Sequence, residues 1–534
     1  VRRPRCSSLS RPTAVNDAFF VLLPGFRQSA DRRTTVEPRR YVASRIDLDA
    51  AGALLSAGVR AGGGARGAGA VPTTLSLPAP DGTIARFSVV EDSVMAPGLQ
   101  AEHPELRTYA GTGLTDPTDT IRLSLTPLGL HASVRSIQGN RAWYVEPAYY
   151  GRGVTTHLSF LRSAVPDSGR IFGEQEPLIA PSAEEQAGLS VAPQRLAGEA
   201  VTQRTYRLAF VTEQSYAAYF GTENVMATKV IQVNRANQIY SDDMAITFVL
   251  AEGSDGLNLD TDAKAIEADG PCGASPCFTS DETSSCGGDI LDRNKFVAGQ
   301  IVGADRFDIG HFGSGDGSGG VAYLGVVGGA DKAGGCTALD PPAGDFYAVD
   351  FFAHEVGHQM AGNHTFDGAS GSCAGANRNA PTSVEPGSGS SVMAYAGICF
   401  SDDLQPHTDP YFSQRTIDEF TAKVTEDPSD LAEQQSVNLT DFGAGDTFEL
   451  TYPGAVAPVV VTNGGNYTAA GLEAAILTLT GTAADVSGYD GATAVGPDGF
   501  TVDFSGTGDL DRLGVGATTG GANGFVGVIQ NGGP

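Results

Sequence analysis

Alternation of apolar and polar positions dominates the first part of the chain. Up to about residue 200, short alternating runs such as TIRLSLTPLGLHASV at 120–134 are mixed with loops such as GVRAGGGARGAGAVP at 58–72. Alternation with a period of two is typical of strands that bury one face. The pattern therefore predicts a β-rich module at residues 41–200, preceded by a basic and poorly ordered head at residues 1–40.

The pattern changes after residue 200 to strands that alternate with helices. TYRLAFVT at 205–212 predicts a strand, a helical period begins at Thr222, and MAITFVLA at 244–251 predicts a second strand. Strand, helix and strand in this order imply a parallel pair joined by a right-handed crossover. Further along, the pattern predicts a helix near 290–302 and strands at 306–312 and 320–327. An α/β fold is therefore expected for residues 201–430.

The last hundred residues have a different composition from the middle of the chain. Residues 431–534 are rich in Gly, Thr, Val and Asp, and one short helical segment lies at 469–479. This composition predicts a separate, small β-rich domain.

Charge and hydropathy exclude several classes of partner. The 534 residues carry a formal net charge of -28, whereas nucleic acids and anionic membranes attract clustered Lys and Arg. No apolar run approaches the length of about 18 residues that a membrane-spanning helix needs. We therefore expect neither nucleic-acid binding nor membrane insertion, and the sequence does not specify an oligomeric state.

The cysteines indicate an oxidising compartment. Six of the seven lie close together, at Cys272, Cys277, Cys286, Cys336, Cys373 and Cys399. They predict up to three disulfides, with buried free thiols as the alternative, and leave Cys6 unmatched. The early apolar run at 18–23 is shorter than the core of a signal peptide. Export, and thus a secreted protein, is therefore inferred from the cysteines.

Three of the eight histidines lie within the stretch VDFFAHEVGHQMAGNHTF at 349–366. His354 and His358 are four residues apart, so on a helix both imidazoles project from one face, as two zinc ligands do. Glu355 lies beside them, where its carboxylate can accept a proton from a water and pass it to a leaving amine. Chance occurrence on a structural helix is the alternative.

The third histidine favours a metal site. His364 lies six residues beyond His358, so the chain must turn back to bring it to the same point. AGN at 361–363 provides such a turn, since Gly and Asn tolerate the left-handed backbone that ends a helix. Three histidines leave one zinc position open, which is the catalytic rather than the structural pattern.

These residues resemble a known family. HEVGHQMAGNH resembles the metzincin signature HExxHxxGxxH, and SVMAYAG at 391–397 resembles the metzincin Met-turn. The flanking sequence resembles the bacterial reprolysin-like zinc metallopeptidases in NRANQIY, FDIGHFGSGDGSGGVAYLG, GDFYAVDFFAHEVGHQ and EPGSGSSVMAYAGIC. EDSVMAPGLQ and LRTYAGTGLTDPTDTIRLSLTPLG resemble the N-terminal, propeptide-like part of that family. The resemblance covers roughly residues 40–430 and implies a metzincin-like catalytic domain with a twisted mixed sheet and an active-site helix.

The resemblance implies a role for each residue of the site. One Zn²⁺ would be bound by His354, His358 and His364, with Glu355 as general base and acid. Met393 would form the hydrophobic floor beneath the metal, or would simply fill the core. Tyr395 would bind zinc or stabilise the oxyanion, as in some metzincin branches, or would pack in the pocket wall.

Three more features follow from the resemblance. GVAYLGVV at 320–327 resembles the edge strand along which metzincins bind an extended peptide, although it could be an ordinary core strand. A disulfide between Cys373 and Cys399 would brace the pocket. The family has Gly where this chain has Ala361, so either the turn shifts by one residue or Ala361 adopts a positive φ at a cost of about 1 kcal/mol or somewhat more.

Other candidates for site residues are weaker. His311 and His407 are expected to be hydrogen-bonded polar residues rather than ligands. The acidic stretch 254–262 could bind Ca²⁺ but lacks the spacing of an EF-hand loop, so a solvated loop is the alternative. Asp350 would cap or orient the start of the histidine helix.

The leading hypothesis is a secreted zinc endopeptidase that is made as a zymogen and cleaves proteins or peptides. Cys6 has no recognisable switch motif around it, so latency is expected to come from steric cover or from a carboxylate, with activation cleavage between residues 182 and 205. The alternatives are a catalytically weak metzincin-like scaffold for adhesion or for protein or carbohydrate binding, and a purely structural role of the histidines. The sequence does not name the substrate.

Overall fold

The computed structural model describes residues 19–62, 72–136, 141–166, 202–426, 430–489 and 492–533. They form a mixed α/β structure with four sheets. We call residues 19–166 the N-terminal module, 202–426 the central module and 430–533 the C-terminal module. Cys6 and most of the stretch expected to contain the activation cleavage lie outside the described residues.

The N-terminal module contains a nine-stranded antiparallel sheet in the order β1-β2-β9-β8-β7-β6-β5-β4-β3. Its strands are β1 (Phe20–Leu22), β2 (Val42–Ile46), β3 (Thr73–Pro78), β4 (Ile84–Glu91), β5 (Arg107–Gly113), β6 (Asp119–Thr126), β7 (Gly129–Ser136), β8 (Arg141–Pro147) and β9 (Thr156–Leu161). Its helices are α1 (Leu48–Gly62) and α2 (Pro97–Glu102). The alternating run at 120–134 forms the paired strands β6 and β7, which confirms the prediction of a β-rich region.

Two expectations for this module are wrong in part. The head is ordered from residue 19, because Phe19 is buried and β1 pairs with β2. Residues 58–62, predicted as loop, are the last part of α1. Ala51 and Leu55 lie one turn apart on α1 and are both buried in the core beneath the sheet, so tertiary packing extends the helix into the glycine-rich segment.

The central module contains a five-stranded sheet in the order β11-β10-β12-β14-β13. Its strands are β10 (Arg204–Thr212), β11 (Ile246–Leu250), β12 (Ile309–Ser314), β13 (Ser318–Ala322) and β14 (Gly335–Leu339). Its helices are α3 (Gln214–Phe220), α4 (Val225–Met244), α5 (Asp262–Ala265), α6 (Ser280–Thr283), α7 (Gly288–Ile301), a π-helix (Phe346–Phe352), α8 (Ala353–Gln359) and α9 (Gln414–Lys423). The parallel pairing of β10 with β11, with α4 between them in the chain, confirms the predicted parallel pair.

Only the first part of the predicted strand at 320–327 is a strand. β13 ends at Ala322 and pairs antiparallel with β14 at the end of the sheet. Gly325 then adopts a left-handed φ of 70°, and its N–H donates to the His358 carbonyl at 2.8 Å. The chain therefore leaves the sheet and turns beneath the end of α8.

The C-terminal module contains two small antiparallel sheets, in the orders β18-β19-β15-β21 and β17-β16-β20. Its elements are β15 (Gln434–Thr440), β16 (Thr447–Thr451), β17 (Val459–Thr462), α10 (Ala469–Thr480), β18 (Ala484–Gly488), β19 (Gly499–Phe504), β20 (Gly514–Thr518) and β21 (Asn523–Gln530). The helix α10 confirms the predicted helical segment. This module packs on α7 so closely that a Cβ on Gly299 would lie 2.7 Å from the Ile529 Cα. No described helix is long and apolar enough to cross a membrane.

Candidate metal centre

The three histidines of the 349–366 stretch converge on one point. His354 and His358 project from α8, and their Nε2 atoms are 2.9 Å apart. The Nε2 atoms of His358 and His364 are 3.0 Å apart. All three side chains are buried. Among the described residues, they form the one group of His, Cys, Asp and Glu side chains that is close enough to hold a metal ion.

Backbone carbonyls fix the orientation of each ring. The Nδ1 atoms of His354, His358 and His364 lie 2.6, 2.6 and 2.5 Å from the carbonyl oxygens of Val392, Gly362 and Asn377. A carbonyl only accepts, so each Nδ1 carries the proton and each Nε2 presents a lone pair. Burial lowers the pKa of each imidazole, that of His354 to about 4, so the rings are neutral at neutral pH.

Three converging lone pairs fit a cation. Facing acceptors cannot satisfy one another by hydrogen bonding, whereas a divalent ion satisfies all three. Nitrogen ligands at 2.0–2.1 Å from a tetrahedral zinc stand about 3.4 Å apart, close to the spacing of the Nε2 atoms. Carbonyl partners on the second ring nitrogen are also the usual support of zinc-bound imidazoles. The donor set therefore fits Zn²⁺ with a fourth position open.

The turn after α8 brings His364 back to the other two ligands. Ala361 adopts a φ of 76°, and the next N–H, that of Gly362, donates to the Gly357 carbonyl at 2.9 Å. Of the two alternatives for the turn, the chain therefore uses a positive φ at Ala361 without a shift. An L-residue in this left-handed conformation costs about 1–2 kcal/mol.

Met393 lies directly beneath α8. It is fully buried, and a Cβ on Gly357 would lie 2.4 Å from its Sδ atom. Gly357 stands between the two helical ligands, so the missing side chain lets the methionine pack against the backbone of α8. Met393 therefore packs against α8 between His354 and His358, and Gly357 has a packing role that the sequence analysis missed.

Tyr395 lies in the wall of the site. Its ring centroid is 4.5 Å from that of His364 and 4.5 Å from that of Phe366, on which it stacks. The side chain is buried. The tyrosine ring therefore packs beside His354 and His364.

Glu355 faces the end strand of the central sheet. A Cβ on Gly320 of β13 would lie 2.1 Å from the Glu355 Oε1 atom. The carboxylate therefore packs against strand backbone that carries no side chain at this position. Sequence reasoning missed Gly320, although glycine inside a strand signals the close approach of another group.

A disulfide joins Cys373 to Cys399. It links the segment after His364 to the segment after the Met-turn residues. The carbonyl of Asn377, which orients His364, lies on the braced segment. Two other disulfides join Cys272 to Cys277 and Cys286 to Cys336.

Two other histidines are hydrogen-bonded polar residues, as predicted. His311 lies 3.1 Å from Gln359 Oε1 and 3.0 Å from Thr337 Oγ1. His407 Nε2 lies 3.1 Å from the Pro166 carbonyl, and its Nδ1 is 3.6 Å from Asp350.

The expectation that Asp350 caps the start of the histidine helix is wrong. This residue lies within the π-helix that continues into α8, not at a helix start. Its Oδ1 accepts from Arg162 Nη2 at 2.5 Å. The carboxylate therefore serves an ion pair with the N-terminal module instead of capping a helix.

The acidic stretch 254–262 is not supported as a Ca²⁺ site. The buried Lys229 amino group donates to Asn258 Oδ1 at 2.7 Å, to the Phe210 carbonyl at 2.6 Å and to the Leu257 carbonyl at 3.3 Å. Two oxygens of the stretch, Asn258 Oδ1 and the Leu257 carbonyl, therefore accept hydrogen bonds from the lysine instead of binding a cation.

Comparison with known proteins agrees with this geometry. The model of metallo-peptidase family M12B, reprolysin-like, matches residues 222–418. The match includes α4, β13, the three histidines, Glu355 and the Met-turn residues. No curated protein sequence is significantly similar to the chain.

Proposed function

We propose that the chain, whose residues 222–418 match the reprolysin-like metallo-peptidase family M12B, is a secreted zinc-dependent endopeptidase that hydrolyses peptide bonds in proteins. The observation that carries this proposal is the convergence of three neutral, oriented imidazoles beside Glu355. When bound, Zn²⁺ supplies a Lewis acid that polarises the scissile carbonyl and lowers the pKa of the attacking water.

Glu355 is the general base and acid of the proposed reaction. Its carboxylate takes the proton of the attacking water and delivers it to the leaving amine. The close packing of Gly320 on one side restricts where this carboxylate can move. Met393 would form the floor beneath the ligands, and the Tyr395 hydroxyl would donate a hydrogen bond to the developing oxyanion.

β13 is the proposed binding strand for the substrate. It is the last strand of the central sheet and pairs with β14 on one side only. An extended peptide can add to such an edge through backbone hydrogen bonds, which give affinity with little sequence selectivity. Protein or peptide substrates in an extended conformation therefore fit this surface.

The proposal includes secretion and zymogen synthesis. The three disulfides of the central module are consistent with an extracellular location. Residues 41–200 would act as the propeptide region, residues 201–430 as the catalytic domain and residues 431–534 as an accessory domain. Activation would follow cleavage between residues 182 and 205.

The proposal is tested by zinc content and casein hydrolysis of the full chain and of Glu355→Gln, each before and after limited trypsin treatment. The glutamine is nearly isosteric and leaves the three ligands in place, so we expect about one zinc per chain in both proteins. Loss of a positioned general base should lower the rate by about 10²–10⁴. Glu449→Gln, in β16 of the C-terminal module, is the matched control and should keep full activity.

Two results would contradict the proposal. Zinc binding without hydrolysis of casein by the treated wild-type chain would favour a binding scaffold. Wild-type activity in Glu355→Gln would exclude the proposed role of this carboxylate.

A further inference from the structure

Seven charged or titratable side chains form a continuous chain across the interface between the N-terminal and central modules. In order along their contacts they are His131, Glu146, Arg235, Asp345, Arg162, Asp350 and His407. We call this set the interface charge chain. His131, Glu146 and Arg162 come from the N-terminal module and the other four from the central module, so it is complete only when both modules are present.

The contacts of Arg162 are the centre of this set. Its Nη1 donates to Asp345 Oδ2 at 3.1 Å, and its Nη2 donates to Asp350 Oδ1 at 2.5 Å. Asp345 is held from its other side by Arg235, which also binds Glu146. One guanidinium from the N-terminal module therefore bridges two carboxylates of the central module.

The Arg162–Asp350 pair is buried, so its loss would lower the free energy of unfolding. The side chains of Arg162 and Asp350 are 8% and 4% exposed. Breaking a buried ion pair by removing one partner is strongly destabilising, because the remaining charge is left without compensation. Without Arg162, Asp350 would face His407 and the Thr408 N–H at 3.3 Å.

The two carboxylates flank the entry to the active-site helix. Asp345 immediately precedes the π-helix, and Asp350 lies within it, one turn before His354. π-Helices are rare and occur often at functional sites. The Arg162 guanidinium binds both carboxylates and thereby fixes the π-helix. This helix continues into α8, which carries His354 and Glu355.

We propose that Arg162 is a positioning residue of the metallopeptidase site, and that the N-terminal module remains docked in the active enzyme as a non-covalent subunit after cleavage of the connecting chain. This inference rests on the proposed function. A propeptide that dissociated on activation would remove Arg162 and leave Asp345 and Asp350 without it. Retention of the module keeps the π-helix, and with it the ligand-bearing turn of α8, in place.

Other contacts hold the module independently of Arg162. Leu250 at the end of β11 pairs through its backbone with Val94 and Ala96, at 2.8 and 2.9 Å. The Glu252 carboxylate accepts the N–H groups of Gly98 and Leu99 at the start of α2, at 2.7 and 2.9 Å. A substitution at Arg162 therefore removes the ion pairs with Asp345 and Asp350 while the N-terminal module stays docked.

The experiment compares full-chain Arg162→Met, Arg162→Lys and Arg135→Met after limited trypsin treatment. Arg135 is the matched control, because it also reaches from the N-terminal module to the central module but pairs with Asp243 at 2.7 Å, at the end of α4. Zinc content, kcat and KM for a peptide substrate are measured, and size-exclusion chromatography shows whether the cleaved N-terminal fragment elutes with the active fragment.

We expect loss of the Arg162 ion pairs to lower kcat and to leave KM unchanged. Arg162→Met should keep its zinc and its KM and lose roughly tenfold or more in kcat, since small displacements of catalytic groups have large effects on rate. Arg162→Lys should be intermediate, and Arg135→Met should stay within about twofold of wild type. The cleaved module should co-elute with activity in the wild-type protein.

A second variant covers the case in which Arg162→Met does not fold. Arg162→Met/Asp350→Asn removes Arg162 and its buried partner, and Asp345 keeps its ion pair with Arg235, so neither carboxylate position is left with an uncompensated charge. The double variant should fold and bind zinc but keep the low kcat. Wild-type kcat in a folded Arg162 variant, or full activity in a fraction that lacks the module, would overturn the inference. Absence of hydrolysis by the wild-type protein would instead refute the proposed function.

Discussion

Gly320→Ala should disable Glu355, the proposed catalytic carboxylate, without altering a candidate metal ligand. Gly320 lies in β13, and its φ is outside the left-handed region, so alanine fits the backbone of the strand. The added Cβ would lie 2.1 Å from Oε1, 2.6 Å from Cδ and 2.7 Å from Cγ of Glu355. All three nearest atoms belong to this one side chain, so the carboxylate must move away from the strand.

The expected effect follows from the size of that movement. Restoring van der Waals contact requires a shift of about 1.3 Å, and a misplacement of about 1 Å can reduce a rate by about 10². We therefore expect kcat to fall about 10²-fold, equivalent to about 2.7 kcal/mol in the activation free energy. Zinc content should not change, because the ring orientations of the ligands depend on carbonyls elsewhere.

The assay is peptide hydrolysis under saturating substrate, with zinc content measured on the same samples. Gly287→Ala is the matched control, since a Cβ on this residue at the start of α7 would meet nothing within 4 Å. The control should keep wild-type kcat. Unchanged kcat in Gly320→Ala would refute the placement of Glu355 against β13.

Three further predictions concern stability. Ala361→Gly removes a left-handed strain of about 1–2 kcal/mol at an entropic cost of about 0.4–1 kcal/mol. The free energy of unfolding in urea should therefore rise by up to about 1.5 kcal/mol, and a fall would contradict the positive φ of Ala361. Burial lowers the folded-state pKa of His157 to about 4, so between about pH 6.5 and 4 this histidine is protonated in the unfolded state before the folded state. The free energy of unfolding of the N-terminal module should therefore fall by about 3 kcal/mol as pH falls from 6.5 to 4. Fluorescence of Trp143, the single tryptophan, reports this unfolding, and His157→Gln should flatten the pH dependence. Replacing Cys373 and Cys399 by Ser opens a loop of 26 residues and should lower the free energy of unfolding by about 3.5 kcal/mol by the chain-entropy relation. Equal urea midpoints for the variant and the wild-type chain would contradict a formed disulfide.

Local periodicity predicted the elements whose patterns are strong. The β10-α4-β11 unit, α7 and α10 follow from hydrophobic positions within each segment, and the strands β6 and β7 from the alternating run at 120–134. The expectations that failed depend on distant contacts. α1 continues into a glycine-rich stretch because its apolar face is buried against a sheet formed later in the chain, and β13 ends early because Gly325 bonds to α8.

The candidate site was predictable to a similar extent. Helical spacing alone brings His354 and His358 together, and the turn signal after them returns His364. The choice between a shifted turn and a strained Ala361 depends on backbone hydrogen bonds that no pattern specifies. Asp350 was misassigned because its partner, Arg162, lies 188 residues earlier in the chain.

The central claim is that His354, His358 and His364 together hold one catalytic zinc. The most direct test is the zinc content of the full chain and of His358→Ala, with circular dichroism and urea unfolding to show that both are folded. We predict about one zinc per wild-type chain and almost none in the variant, since His358 lies between the other two ligands. A folded wild-type chain without zinc, or a variant that retains it, would contradict the claim.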